Sequence, residues 1–376
     1  MTDFWRDVVA VARARVAAGR LDRRDFLAGL AALPALASAG RAQGTGQGPG
    51  QGTGPKPREV VLANWGGDAV AAMGDAFAVP FERDHGVKVA IDTSGPSLAR
   101  IRAMVEGGRV TWDVCDSGAG TSFTLGRANL VERMDYDVVD RGRVLPEGFR
   151  LPWCTGIAGY STVIAWDRAR LNDGPRNWAE FWDTRRFPGK RTMRKSMQAV
   201  LEAALMADGV PPDRLYPLDV DRALRKVREI RRDVIWWDNG SQSQDLLRSG
   251  EVTAGAIWST RARLVGEDTR GRIAYRWDGG IVHAAVWVVP RNPPAGREWA
   301  MRLVDSTILP ERQVALLRSL GTGPANPAAA ALVPAELRAH NPMDPENLAK
   351  QVVVDEPWHA DHYTAAYERF SDLITG

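Results

Sequence analysis

The sequence predicts an α/β protein of two lobes, each a mostly parallel sheet flanked by helices. First, 376 residues can bury a substantial core and suggest two domains. Second, short apolar runs typical of buried strands alternate with helical patterns along the chain. Third, turn-rich segments near residues 153 and 283 interrupt this alternation and are expected to be crossovers between the lobes.

The N-terminus predicts an export signal. Arg23 and Arg24 precede an apolar run and the small-residue sequence Ala37-Ser38-Ala39, so residues 1–42 resemble a twin-arginine signal peptide. The apolar run is shorter than the roughly 20 residues that span a membrane. A buried amphipathic helix of a cytosolic domain is the alternative.

Residues 43–57 repeat Gly, Pro, Gln and Thr and predict a flexible linker.

The chain without the predicted signal peptide has equal numbers of basic and acidic residues, although the whole chain carries a net charge of +3. This balance argues against nucleic acid as the main partner.

The first predicted elements alternate strand and helix, as in a parallel sheet. Ser97 is the expected N-cap of the second helix. The predicted order is strand 59–65, helix 70–81, strand 88–92, helix 98–106 and strand 110–115.

The remaining elements continue this alternation. Strands are predicted at 156–166, 234–237, 252–258, 272–277 and 283–289. Helices are predicted at 177–182, 196–207, 219–231, 345–352 and 361–373. A short helix is also predicted to end at Gly250, and a longer one is predicted over 299–320 with a break near Pro310.

The stretch 233–261 indicates a ligand site. Two predicted strands end there in aromatic, polar or charged side chains, and ligands of open α/β sheets bind beyond the carboxyl ends of strands. The resemblance described below implies that Trp258 and Arg261 belong to this site and that Trp236 and Trp237 lie in the core.

Several motifs, in order, carry a resemblance. They are VVLANWGG (60–67), WDVCDSG (112–118), GIAGYSTVIAWD (156–167), FPGKR (187–191), LEAALMADG (201–209), SGEVTAGAIWSTR (249–261) and GTGPANPAA (321–329). Together they resemble the periplasmic solute-binding proteins of bacterial ABC importers, in particular the spermidine/putrescine-binding protein-like family.

The resemblance implies a two-lobed periplasmic-binding-protein fold joined by hinge crossovers, with a solute held between the lobes. Lobe 1 would comprise 58–153 plus 284–329, and lobe 2 would comprise 154–283 plus 330–376. It also implies a periplasmic monomer that delivers its solute to an ABC permease in the inner membrane and needs no cofactor.

The resemblance places ligand-binding residues on both lobes. Trp65 would stack on the solute while Gly66 and Gly67 allow close backbone approach. Asp116 and Ser117 would donate or accept hydrogen bonds from the opposite wall. Trp258 would be the second stacking aromatic and Arg261 a basic group beside it. Packing of Trp65 under its own loop, a plain turn at Asp116, and an interlobe ion pair at Arg261 are the alternatives.

The departures from the family pattern favour a different ligand. The family's carboxylates would fall near Arg194-Lys195-Ser196 and near His283, where this chain has no acidic residue. Because a desolvated ammonium needs a countercharge, we expect an anionic or zwitterionic solute gripped by Lys195, Arg194 or Arg261. A true polyamine binder, with a displaced carboxylate, is the alternative.

Other sites receive less support from the sequence. His359 and His362 have ligand-like spacing in a tail region, but no metal site is predicted. Cys115 and Cys154 could form a disulfide or stay as separate buried thiols. An enzyme on the same fold with a cleft cysteine, and a ligand sensor that docks on a signalling receptor, are alternative functions. We do not expect an enzyme.

Overall fold

The computed structural model describes residues 55–142, 144–145 and 149–376. The predicted signal peptide and the predicted linker up to residue 54 lie outside the described residues. Within the described part of the chain, no helix is long and apolar enough to cross a membrane.

Eleven strands of the described residues form one sheet. They are β1 (Glu59–Ala63), β2 (Lys88–Asp92), β3 (Val114–Gly118), β4 (Arg150–Leu151), β5 (Cys154–Asp167), β6 (Arg191–Arg194), β7 (Val234–Trp237), β8 (Ala254–Trp258), β9 (Ile273–Val288), β10 (Gly323–Pro324) and β11 (Val352–Val353). The main order is β2-β1-β3-β9-β5-β8-β6-β7, while β4 and β10 pair with β5, and β11 pairs with β9.

Helices cover both halves of this sheet. They are α1 (Ala69–Met73), α2 (Val79–His85), α3 (Leu98–Glu106), α4 (Ala119–Arg127), α5 (Arg168–Leu171), α6 (Trp178–Trp182), α7 (Val200–Ala207), α8 (Val220–Ile230), α9 (Gly240–Arg248), α10 (Ser259–Asp268), α11 (Arg297–Thr307), α12 (Pro310–Leu320), α13 (Ala335–Arg338), α14 (Pro345–Leu348) and α15 (Glu356–Thr375). A π-helical turn, Gly74–Ala78, joins α1 to α2.

Each half of the sheet contains parallel strands, as the alternation of elements predicts. In the first half β1 pairs in parallel with β2 and β3, and in the second β6 pairs in parallel with β7 and β8. The carboxyl ends of these strands therefore gather at common edges, where the loops that follow them meet.

Two long strands, β5 and β9, join the halves. They pair antiparallel from Thr155 opposite Trp287 to Asp167 opposite Ile273. The two strands predicted at 272–277 and 283–289 are wrong as separate elements, because Gly279 forms no turn between them. Gly279 lies where the pairing of β9 with β5 is irregular, and it adopts a positive φ of 72°. The Trp178 indole N–H donates a hydrogen bond to its carbonyl oxygen.

The apolar side chains form separate cores on the two sides of these strands. Phe77 and Trp287 lie in the first core, and Phe181 and Phe370 in the second. The C-terminal segment contributes to both, since Leu348 packs in the first core. The lobe boundaries at 153, 283 and 329 stay a prediction.

Local signals in the sequence set several helix ends. Ser97 caps α3 by accepting a hydrogen bond from the Arg100 amide, which confirms the predicted N-cap. Pro310 begins α12 and separates it from α11, which confirms the predicted break. The helix predicted over 345–352 is shorter, because α14 ends at Leu348 and a short strand follows at Val352.

Candidate functional site

A cavity of about 520 Å³ lies between the two halves of the molecule. Six of the predicted ligand-binding residues line it, and they come from elements far apart in sequence. These are Trp65 after β1, Asp116 and Ser117 in β3, Arg194 at the end of β6, Trp258 at the end of β8, and Arg261 in α10.

The turn after β1 shapes one wall of the cavity. Gly66 and Gly67 both adopt positive φ, of 73° and 64°, which glycine tolerates without strain. The buried Asn64 side chain accepts a 2.8 Å hydrogen bond from the Gly66 amide and fixes the turn. Trp65 packs against Gly95, where an added Cβ would lie 3.4 Å from the indole ring.

Arg261 is a buried cation that reaches across to this turn. Its Nη1 donates to Asp68 at 3.4 Å and to Gln244 at 3.3 Å, and its Nη2 donates to the Gly66 carbonyl at 3.4 Å. These contacts are long, and Nε has no partner among the described residues. Burial lowers the pKa of Arg261, so a better acceptor would be favourable. The predicted interlobe ion pair is thus present but weak.

Asp116 is the carboxyl group in the cavity wall. Its enclosure by protein raises its pKa to about 7, although the charge of Arg261 acts in the opposite direction. Asp116 pairs through β3 with Trp287 of β9 and is therefore held by the sheet, instead of belonging to the predicted turn. Its proton occupancy near neutral pH can therefore respond to a bound charge.

Aromatic rings and a second guanidinium form the opposite wall. The Trp258 ring lies edge-on to Tyr160 at 5.9 Å and to Trp237 at 5.0 Å. The Arg194 guanidinium lies 5.0 Å from the centre of the Trp258 ring and also lines the cavity. No described carboxylate lies within salt-bridge distance of Arg194. Trp237 is fully buried, as expected of a core residue.

The other predicted site residues lie behind or beside the cavity. Lys195, which follows the end of β6, is exposed and lies 3.9 Å from Asp238, while Ser196 is buried without lining the cavity. Successive side chains at a strand end face opposite sides of the sheet. Arg194 faces the cavity, and Lys195 therefore faces solvent.

His283 likewise does not line the cavity. It stacks at 5.0 Å on Tyr160, which does, and contacts the Thr162 hydroxyl at 3.0 Å. Burial lowers the pKa of His283 to about 3, so it is neutral at physiological pH. Gly66 and Gly67 do not line the cavity either, but the Gly66 carbonyl accepts from Arg261, and a Cβ at Gly67 would lie 3.3 Å from the Arg261 guanidinium.

Several lining residues were missed by the sequence reasoning. Tyr160 lies within a matched motif, but its face of β5 could not be assigned without the pairing register. Gln198 precedes α7, and Tyr363 and Tyr367 come from α15, where they stack at 5.4 Å. Their spacing of four residues marks a shared helix face, yet nothing local indicates what that face meets.

The two cysteines are free, buried thiols outside the cavity wall. Burial raises the pKa of Cys154 to about 12, and it also raises the pKa of Cys115 well above its usual value. Both stay protonated at neutral pH, which disfavours a thiolate nucleophile. Among the described residues no group of three or more His, Cys, Asp or Glu side chains could hold a metal ion.

Comparisons with known proteins show what the chain and its fold are similar to. The model of the bacterial extracellular solute-binding protein family matches residues 76–345. The chain is 30% identical over 323 residues to the gamma-aminobutyric acid-binding protein of Pseudomonas aeruginosa, a match that covers 84% of this chain and 90% of that protein. The structure of AgtB from Agrobacterium tumefaciens R10 in complex with agropinic acid is 30% identical, with a TM-score of 0.78 and coverage of 85% and 99%.

A more distant structure shares the fold alone. The spermidine/putrescine-binding protein of Streptococcus pneumoniae is 15% identical, with a TM-score of 0.64 and coverage of 85% and 100%. The expected two-lobed binding-protein fold and the resemblance to solute-binding proteins of ABC importers are confirmed. The chain belongs to the family of bacterial extracellular solute-binding proteins.

Proposed function

We propose that this protein captures a small zwitterionic or anionic solute, of the amino-acid or carboxylate class, and delivers it to an ABC permease. The observation that carries the proposal is the charge of the cavity wall. Two guanidinium groups, Arg194 and Arg261, line it, and Asp116 is the one carboxyl among the described lining residues.

The two arginines suit a carboxylate. Arg261 is buried with long contacts and an unpartnered Nε, and Arg194 has no carboxylate partner within the described ranges. A solute carboxylate between them would give both guanidinium groups charge-assisted hydrogen bonds, which are stronger than neutral ones. Lys195, outside the cavity, has no part in this grip.

The remaining wall suits a single ammonium group or an apolar body. Trp65 and Trp258 offer aromatic faces, which attract cations, and Asp116 can supply one negative charge. A spermidine or putrescine chain carries two or more ammonium groups and no anion. Placing it between two arginines and one carboxyl would leave charges unpaired in a partly desolvated site. The acids bound by the two relatives support the same class.

We also propose that the protein is exported through its twin-arginine signal and acts in the periplasm as a monomer whose lobes divide at 153, 283 and 329. Replacing Arg23 and Arg24 by lysine is expected to leave the protein in the cytoplasm, as measured by cell fractionation. Periplasmic recovery of that variant would contradict this route of export.

A calorimetric panel tests the ligand class. Gamma-aminobutyric acid, butyrate, putrescine and spermidine are titrated into the protein at about physiological ionic strength. We expect micromolar or tighter binding of the amino acid and none of the polyamines. Micromolar binding of putrescine or spermidine, with none of the acids, would refute the proposal. Mass spectrometry of solutes that co-purify with the protein gives an independent identification.

A further inference from the structure

Glu356, outside the cavity wall, links the two halves of the molecule behind the site. It stands at the start of α15, and its Oε2 accepts two hydrogen bonds. One comes from the backbone amide of Gly120 in α4, at 2.9 Å, and the other from Nε2 of Gln198, which precedes α7, at 3.0 Å. The glutamate is buried and does not line the cavity, whereas Gln198 does.

This contact fixes the direction of the Gln198 amide. An ionised carboxylate only accepts hydrogen bonds, so it selects the NH₂ end of a neighbouring amide. The opposite end, Oε1, has no protein donor among the described residues. An ionised Glu356 therefore keeps the Gln198 NH₂ end on its own side and turns the acceptor, Oε1, away from it, on a residue that lines the cavity.

We propose that Glu356 is a positioning residue that holds the Gln198 carbonyl oxygen toward the cleft as an acceptor for the ammonium group of a zwitterionic solute. Protonation of Glu356 lets it donate to Gln198 Oε1, so the amide turns and presents its NH₂ end to the cleft. The site then loses an acceptor for ammonium and gains a donor. This inference rests on the proposed function, because it assigns one end of that ligand.

The surroundings of Glu356 favour this exchange near neutral pH. Burial raises the pKa of Glu356 to about 7, although His359 acts in the opposite direction. Its Oε1 is buried without a partner in the described part of the chain, so a proton there would be an unsatisfied donor, whereas a proton on Oε2 can donate to Gln198. The titratable groups around it are Asp355 just before α15, His359 on α15, Glu202 on α7, Tyr216 after α7, and Cys154 and Tyr160 on β5.

The expected pH dependence separates two kinds of ligand. As the pH falls from 8.5 to 5.5, gamma-aminobutyric acid should lose about tenfold in affinity, since one hydrogen bond to its ammonium is lost. Butyrate, which has no ammonium group, should keep its affinity or gain. Asp116 titrates in the same range, so binding to the native protein alone does not assign the effect to Glu356.

The experiment therefore compares Glu356→Gln with Asp116→Asn in the mature full-length chain. The side-chain amide signal of Gln198, assigned by its disappearance in Gln198→Ala, is followed by ¹⁵N NMR without ligand over the same pH range. We expect a transition near pH 7 in the native protein and in Asp116→Asn, and none in Glu356→Gln. Calorimetry should show that Glu356→Gln loses at least half of the pH dependence for gamma-aminobutyric acid.

The outcomes distinguish this inference from the proposed function. A Gln198 signal that does not titrate in the native protein, or that titrates equally in Glu356→Gln, would overturn the positioning role while leaving the ligand class intact. Failure of gamma-aminobutyric acid to bind at any pH, with a titrating Gln198 signal, would overturn the assignment of an ammonium partner and with it the zwitterionic class. A reduced melting temperature in Glu356→Gln without a change in either pH profile would indicate a purely structural role.

Discussion

Replacing Arg194 by glutamine should weaken solute binding without unfolding the protein. The guanidinium lines the cavity 5.0 Å from the Trp258 ring centre, and none of the described carboxylates pairs with it. Its N–H groups are therefore available to a ligand carboxylate. One charge-assisted hydrogen bond contributes about 1.5–3 kcal/mol, so the Kd should rise about 10- to 150-fold. Loss of the contact with Trp258 should lower stability by about 0.5–1 kcal/mol.

The neighbouring residue provides a matched control. Lys195→Gln removes the same formal charge one position away, from an exposed side chain 3.9 Å from Asp238. It should leave the Kd for gamma-aminobutyric acid within about twofold, because an exposed ion pair contributes little. Arg194→Lys should recover only part of the affinity, since lysine cannot form two parallel hydrogen bonds. Calorimetry measures the Kd, and thermal unfolding checks each fold.

Two results would refute this reasoning. Arg194→Gln could bind gamma-aminobutyric acid as tightly as the native protein, which would place the carboxylate elsewhere. Alternatively, Lys195→Gln could weaken binding as much as Arg194→Gln. The effect would then arise from the general electrostatic field of the β6 end and not from contact with the ligand.

Three further predictions follow from particular side chains. Trp65→Leu should weaken binding about tenfold and reduce the ligand-induced change in tryptophan fluorescence, since it removes one aromatic face; an unchanged Kd would place Trp65 outside the binding surface. Glu202→Gln should lower the melting temperature by removing a buried 2.6 Å ion pair with His359, at a cost of about 3 kcal/mol. Burial alone would lower the pKa of His359, but the charge of Glu202 raises it. Burial alone would raise the pKa of Glu202, but the charge of His359 lowers it. The pair therefore stabilises most between about pH 4.5 and 6.5, and it loses its effect above the folded pKa of His359 and below that of Glu202. A melting-temperature difference that grows toward pH 9 would contradict this sign. Cys115 and Cys154 should not react with a thiol reagent until the protein unfolds, and a reducing agent should leave the melting temperature unchanged; rapid labelling of the native protein would contradict their burial.

Much of the architecture can be predicted from local sequence because its physical causes are local. Alternating apolar runs and helical patterns predict the parallel strand pairs of both halves, and Ser97 and Pro310 mark helix boundaries through their own hydrogen-bonding and backbone limits. Residues at or just after strand ends, such as Trp65, Trp258 and Arg261, are predicted at the site because strand ends gather at one edge of a sheet.

The composition of the site depends on register and long-range packing, which no local pattern contains. The Gly279–Gly280 sequence is consistent with a turn, but pairing of β9 with β5 makes it an irregularity in one long strand. The same pairing places Tyr160 in the cavity wall and His283 beneath it. If the pairing register shifted by one residue, each side chain of the strand would move to the opposite face of the sheet, since alternate side chains face opposite sides.

The sequence by itself determined the fold class, the family and the presence of Arg194 and Lys195 where the family pattern has a carboxylate. Only the tertiary structure decided that Arg194 faces the cavity while Lys195 faces solvent. It also decided that α15, more than a hundred residues from α7 in the chain, brings Glu356 against Gln198. The physical reason is that a residue's type and spacing fix its local conformation, whereas its partners are set by which distant surfaces pack together.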